Sequence, residues 1–175
     1  MNQQQFENLA KRWPDVFQKS GEFELSIGDG WYNIIDTLLS LISNPVENAK
    51  RRLDYALKNQ AALPTDSVSE REKALADEIE KLPTIVQVKE KFGTLRFYVD
   101  GGTRDAHNYI TFAEVMSGQT CEVCGSPGKS RPGSGWIRVL CDTHSDEQDE
   151  HNRKYKAGLV DTKSMKLSDD DDDEN

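Results

Sequence analysis

The sequence predicts an α+β fold, a small antiparallel sheet of about three strands packed with several helices and followed by a compact Cys/His knuckle. Three observations carry this. Apolar residues recur at helical spacing through residues 31–42. Period-two alternation marks the stretches near 22–27 and 85–99. Three cysteines and a histidine stand as Cys121-Glu-Val-Cys124 and Cys141-Asp-Thr-His144. At 175 residues the chain is long enough for one domain with a real core.

The elements follow in order. Residues 3–13 form a helix with Phe6, Leu9, Ala10 and Trp13 on one side, and Pro14 ends it. Phe23-Glu-Leu25-Ser-Ile27 alternates as a half-buried strand (22–27), and Gly28-Asp29-Gly30 turns the chain. A helix then presents Trp31, Ile34, Ile35, Leu38, Leu39, Leu41 and Ile42 as a wide apolar face, stopping at Asn44-Pro45. Pro45 opens a second helix, about 45–61, with Val46, Ala49, Leu53, Ala56 and Leu57 inward and Lys50, Arg51, Arg52 and Lys58 outward. Ser69-x-x-Glu72 is a capping box for a third helix with Leu75, Ile79 and Leu82 as its stripe, closed by Pro83.

Two strands come next, 85–91 and 94–99, joined at Gly93. Val86, Val88 and Phe92 occupy one face of the first, with Glu90 an odd polar member; Leu95, Phe97 and Val99 line the second. The opposite face offers Gln87, Lys89, Lys91, Arg96 and Tyr98. A helix over 104–117 presents Ala106, Tyr109, Ile110, Ala113 and Met116. Gly118 stops it before the first cysteine pair. Residues 142–156 read as an almost wholly polar helix, acids first and bases last, an order that suits the helix dipole. The domain plan is thus an α+β body over 1–117, the knuckle with its polar helix over 118–157, and a disordered acidic tail over 158–175.

The quartet Cys121, Cys124, Cys141 and His144 has the C-x2-C-x16-C-x2-H layout of a zinc ribbon. Each pair puts two ligands on one tight turn, and two facing turns complete a tetrahedron. Four protein ligands leave no coordination position for water, so the expected Zn2+ is structural. Because the ligands lie in one late segment, losing one should loosen 118–157 and leave the main core folded. The loop between the pairs carries Lys129 and Arg131, and Trp136 and Leu140 are expected to pack the ribbon on the body.

Catalytic motifs fail one by one. Gly128-Lys129-Ser130 lacks the upstream glycine and strand of a P-loop, Thr120 stands where a zinc deaminase has proline, and neither H-x-E nor H-E-x-x-H occurs. The expectation is a protein that is not an enzyme. The net charge of −9 is largely terminal: without Asp169 to Asp173 and Glu174 it falls to −3. The first residues do not read as a signal peptide, and no apolar run is long enough to span a membrane. Thiols used as ligands must stay reduced, which predicts a cytoplasmic location.

Gly28-Asp-Gly-Trp31, Val88-Lys-Glu-Lys-Phe-Gly-Thr-Leu-Arg-Phe-Tyr98 and Cys121 to His144 together resemble a group of small uncharacterised phage and prophage proteins, over roughly residues 22–145. The resemblance implies a phage accessory context, in the cytosol of a host cell, where small proteins bind and redirect host proteins. The favoured function is a non-enzymatic module that binds and modulates a host protein, such as a defence component. The alternative is a nucleic-acid-binding zinc-ribbon protein using Lys89, Lys91, Arg96 and Tyr98 with Lys129 and Arg131, phosphates meeting the bases and a base stacking on the tyrosine. Overall acidity weighs against it.

Overall fold

A computed structural model describes residues 1–132 and 136–159, so the run Asp169 to Glu174 and the tip of the Lys129–Trp136 loop lie outside the described residues. The elements are α1 (Gln3–Arg12), α2 (Pro14–Ser20), β1 (Glu24–Ser26), α3 (Tyr32–Lys58), α4 (Ser67–Glu80), β2 (Thr84–Lys91), β3 (Thr94–Asp100), α5 (Arg104–Ser117), β4 (Lys129–Pro132), β5 (Ile137–Leu140) and α6 (Asp142–Lys156). They fall into two compact units, Met1–Cys141 and the residues from Asp142 onward.

The first unit is mixed α and β. Its sheet has the order β1-β2-β3, and it is not purely antiparallel as expected. β1 runs parallel to β2, with Glu24 opposite Gln87 and Leu25 opposite Val88. The reason is the connection: α3 and α4 form a long helical crossover, which returns the chain in the same direction. β2 and β3 form the expected hairpin. Its two-residue turn is Phe92-Gly93, at φ 54° and 76°, the paired left-handed conformation that matches strand twist. Glu90 explains itself here, since its carboxylate accepts the Gly93 N–H at 2.5 Å.

A bulge between Ile85 and Gln87 breaks the period of two. Ile85 and Val88 both point into the core, while Val86 is exposed. Phe92, expected on the core face, is exposed at the turn. The Ile85 N–H is satisfied by Ser20 Oγ at 2.8 Å, which ties α2 to the start of the strand.

α2 was not anticipated. Pro14 ends the first helix as expected, but it also occupies the first turn of a new one, where its missing N–H costs nothing. Val16 on α2 is fully buried, and Phe6, Phe17 and Phe23 form a ring cluster with centroids 5.5–6.0 Å apart.

The two helices expected on either side of Pro45 are one, α3, with the proline inside it. Pro45 lacks the N–H that would reach the Leu41 carbonyl. Both residues are on the exposed side, so solvent can serve that carbonyl, while buried Ile42 and Val46 carry the helix across on the core side. The Ser69 capping box does not form: Ser69 Oγ donates to the Asp66 carbonyl instead. Leu82 is buried, and Leu75 and Ile79 pack partly on the core as expected. In α5, Thr103 caps the N-terminus by accepting the Ala106 N–H, and Ala106, Ile110 and Ala113 are buried.

The second unit is α6, with Asp142 in its first turn, Arg153, Lys154 and Lys156 in its last, and no buried residue. No helix among the described residues is long and apolar enough to cross a membrane.

Candidate metal centre

The first cysteine pair lies on a tight turn after α5. Gly125 N–H returns to the Cys121 carbonyl at 2.9 Å, and Cys121 N–H reaches the Ser126 carbonyl at 2.8 Å. Gly125 takes φ 78°, a conformation natural to glycine and strained for other residues. Cys141 follows β5, and His144 lies in the first turn of α6. The ligand atoms of Cys121, Cys124, Cys141 and His144 all lie within 4.8 Å of one another, a group able to hold a metal ion. Cys124 Sγ and Cys141 Sγ are 3.9 Å apart. Hydrogen bonding to Ser126, first through its side chain and then through its backbone, draws the Cys124 thiol down to about 6, with Cys121 and Cys141 adding to the effect. Such a thiol is substantially thiolate at neutral pH, the form that ligates metal. Glu147 stands 3.8 Å from His144 Nε2.

The turn is built into the body. Gly30 N–H donates to the Glu122 carbonyl at 2.9 Å, and the indole Nε1 of fully buried Trp31 donates to the Thr120 carbonyl at 3.0 Å. A Cβ on Gly28 would lie 2.1 Å from the Glu122 oxygen, and one on Gly30 would lie 2.3 Å from that of Cys121. The two glycines therefore let the backbone of one turn lie against the backbone of the other. The hairpin meets β5 in the same way, a Cβ on Gly93 approaching the Ile137 carbonyl to 3.2 Å. Gly28–Gly30, the β2-β3 turn and the 121–138 segment thus lie together within the first unit.

Glu122 was not singled out in the sequence. Its side chain is nearly buried and pairs with Arg138 at 2.5 Å. Burial raises its pKa and Arg138 opposes the rise, while Oε2 is buried without a hydrogen-bond partner. A glutamate inside a C-x2-C turn reads locally as exposed, so only the docking reveals it. Of the two residues expected to pack the ribbon on the body, Trp136 is exposed and Leu140 is buried, as is its neighbour Val139.

The other predicted residues divide. Register sets Lys89 opposite Arg96 and Gln87 opposite Tyr98, so these share the face turned away from Val88 and Phe97, with Lys91 at its end. Glu24 joins that face by bonding to Gln87. Arg96 Nη1 bonds to Thr94 Oγ1 and the Leu95 carbonyl, both at 2.7 Å. Lys129 and Arg131 belong to the separate β4-β5 ladder. No protein-family model matches the chain, and no curated protein or solved structure matches it significantly.

Proposed function

We propose that the chain is a non-enzymatic binding module of the phage accessory type, stapled by a structural zinc ion, which engages a host protein such as a defence component in the host cytosol. An apolar groove beside the metal turn carries this reading. It is a cavity of about 280 Å³ between α3 and α5, walled by Ile34, Leu41, Tyr109, Phe112 and Met116 and reaching Gly125. Phe112 is 62% exposed and its neighbour Val115 58% exposed. Large apolar side chains grouped around a groove on a polar chain mark a protein-binding surface. Zinc is the proposed metal because tetrahedral Zn–S bonds of ~2.3 Å space their sulfurs about 3.8 Å apart, close to the 3.9 Å between Cys124 and Cys141. As a closed site it would hold the β4-β5 zinc ribbon against the body.

The test is capture from bacterial host lysate with zinc-loaded wild type and with Phe112→Asp, matched for metal content and circular dichroism. A stoichiometric host protein retained by the wild type and lost by the variant is the expected result. No such protein, or one indifferent to the substitution, would sink the proposal.

The pairing of Lys89 with Arg96 beside Tyr98 favours a second reading, nucleic-acid binding. Its signature is salt-sensitive binding to mixed DNA and RNA that rises when residues 168–175 are removed and falls in Lys89→Ala/Arg96→Ala.

A further inference from the structure

We infer that the depression between the C-terminal half of α3 and the first turns of α4 binds a nucleoside phosphate. Asn48, Arg51, Arg52 and Tyr55 recur at i, i+3, i+4 and i+7 and share one face of α3. Arg71 of α4 joins them, and the five line an open depression of about 380 Å³. Through Asn48, Arg52 and Arg71 it runs into a cavity of about 550 Å³ that extends to Asn44 and Glu78. That volume is in the small-ligand range of about 300–1,000 Å³.

The charge here runs against the rest of the molecule. The chain holds 31 acids against 22 Lys and Arg. Arg12, Lys50, Lys58 and Lys81 each pair with a carboxylate. Arg51, Arg52 and Arg71 make no ion pair among the described residues. Two of the three are held in place without being neutralised. Arg51 donates to the Glu47 carbonyl at 3.3 Å and to Asn48 Oδ1 at 2.9 Å, and Arg71 donates to the Ser67 carbonyl at 2.7 Å. Each retains further N–H donors. Three guanidiniums offer the fork geometry that phosphate oxygens accept, and ordering two of them beforehand lowers the entropy cost of binding.

Tyr55, 60% exposed beside the arginines, supplies a ring face on which a planar base can stack. No acid is among the residues lining the smaller depression; Glu70 and Glu78 line the larger cavity, and Glu78 is already paired with Lys81 at 2.7 Å. Glu70 disfavours further phosphate there, so the site fits one phosphate gripped by Arg52 and Arg71 with its base on Tyr55. Free nucleotide and single-stranded nucleic acid share this chemistry.

The full chain is titrated at low salt with adenosine 5′-monophosphate by calorimetry and with a labelled oligothymidylate by anisotropy, with inorganic phosphate as control. At least one nucleotide ligand should bind saturably, weakened about tenfold or more by Arg52→Gln/Arg71→Gln and also by Tyr55→Ala, and unaffected by Lys89→Ala/Arg96→Ala. An oligonucleotide bound far more tightly than the mononucleotide identifies a strand as the source, and equal affinity identifies free nucleotide. In the wild type, amide shifts should concentrate at residues 44–71, a readout that needs no variant. Neither ligand binding, shifts elsewhere, indifference to the arginine pair, or phosphate binding as tightly as nucleotide would each overturn the assignment.

Discussion

Gly30 has no room for a side chain. A Cβ there would lie 2.3 Å from the Cys121 carbonyl oxygen, 2.5 Å from Gly125 N and 2.7 Å from Cys124 N, all backbone atoms of the turn that presents two ligands. Gly30→Ala must displace that turn. It should cost about 2–3 kcal/mol, in the range of overpacked cores, and lower the metal content. Denaturant midpoints and metal-to-protein ratios check this; full metal at wild-type stability would refute it. The turn at Gly28-Asp29-Gly30 was legible in the sequence because two glycines interrupt an alternating run. Its purpose was not, because nothing local states which distant backbone will lie against a missing Cβ. Glu122 was overlooked and Trp136 misread for the same reason: their burial or exposure is decided by docking, not by their neighbours in sequence.

At the scale of elements, the strongly periodic helices and the β2-β3 hairpin were legible because each pattern is local and repeats several times. The failures concern punctuation. Proline marks a boundary only where its missing N–H cannot be served: at Pro45 the position makes the loss tolerable and α3 runs on, whereas Pro14 does close α1 and also opens α2. Pro45 still forgoes one helix hydrogen bond in the middle of α3. Pro45→Ala should therefore stabilise the chain by about 1–3 kcal/mol, up to the full propensity difference between the two residues. The thermal midpoint should rise, and a fall would mean that the proline sets a bend the packing requires. The direction of β1 was illegible for another reason. Three residues can pair either way, and the choice rests on the long crossover between them and β2.

For the whole molecule, the sequence locates the quartet, and the structure adds what its first turn is bonded to. Contiguity of the ligands suggested that metal loss would loosen 118–157 alone. Hydrogen bonds from Gly30 and Trp31 tie the turn to the N-terminal half. Chelation should therefore raise amide exchange at residues 28–35 as well as at 118–141 and shift the emission of buried Trp31. Protection unchanged at 28–35 would restore the local picture. Acid should act in the same direction. The Cys124 thiol is lowered in the fold from 9.0 to about 6, so its contribution to stability is full above the unfolded value, shrinks as pH falls between the two and is gone below the lower one. Thermal midpoints recorded across that window should fall with pH in the apo chain and more steeply with metal bound, and equal midpoints would exclude the linkage.

The contact between Trp31 and Thr120 spans 89 residues of chain. Closing so long a loop is entropically expensive and slow, and contacts of this kind form late. During synthesis, Gly28, Gly30 and the Trp31 indole emerge long before the turn that receives them. The amino-terminal strand must wait with its polar groups in water. A metal that shapes residues 121–144 as they appear would then act as the final clasp. Its supply would set how many chains finish folding, as well as how stable the finished ones are.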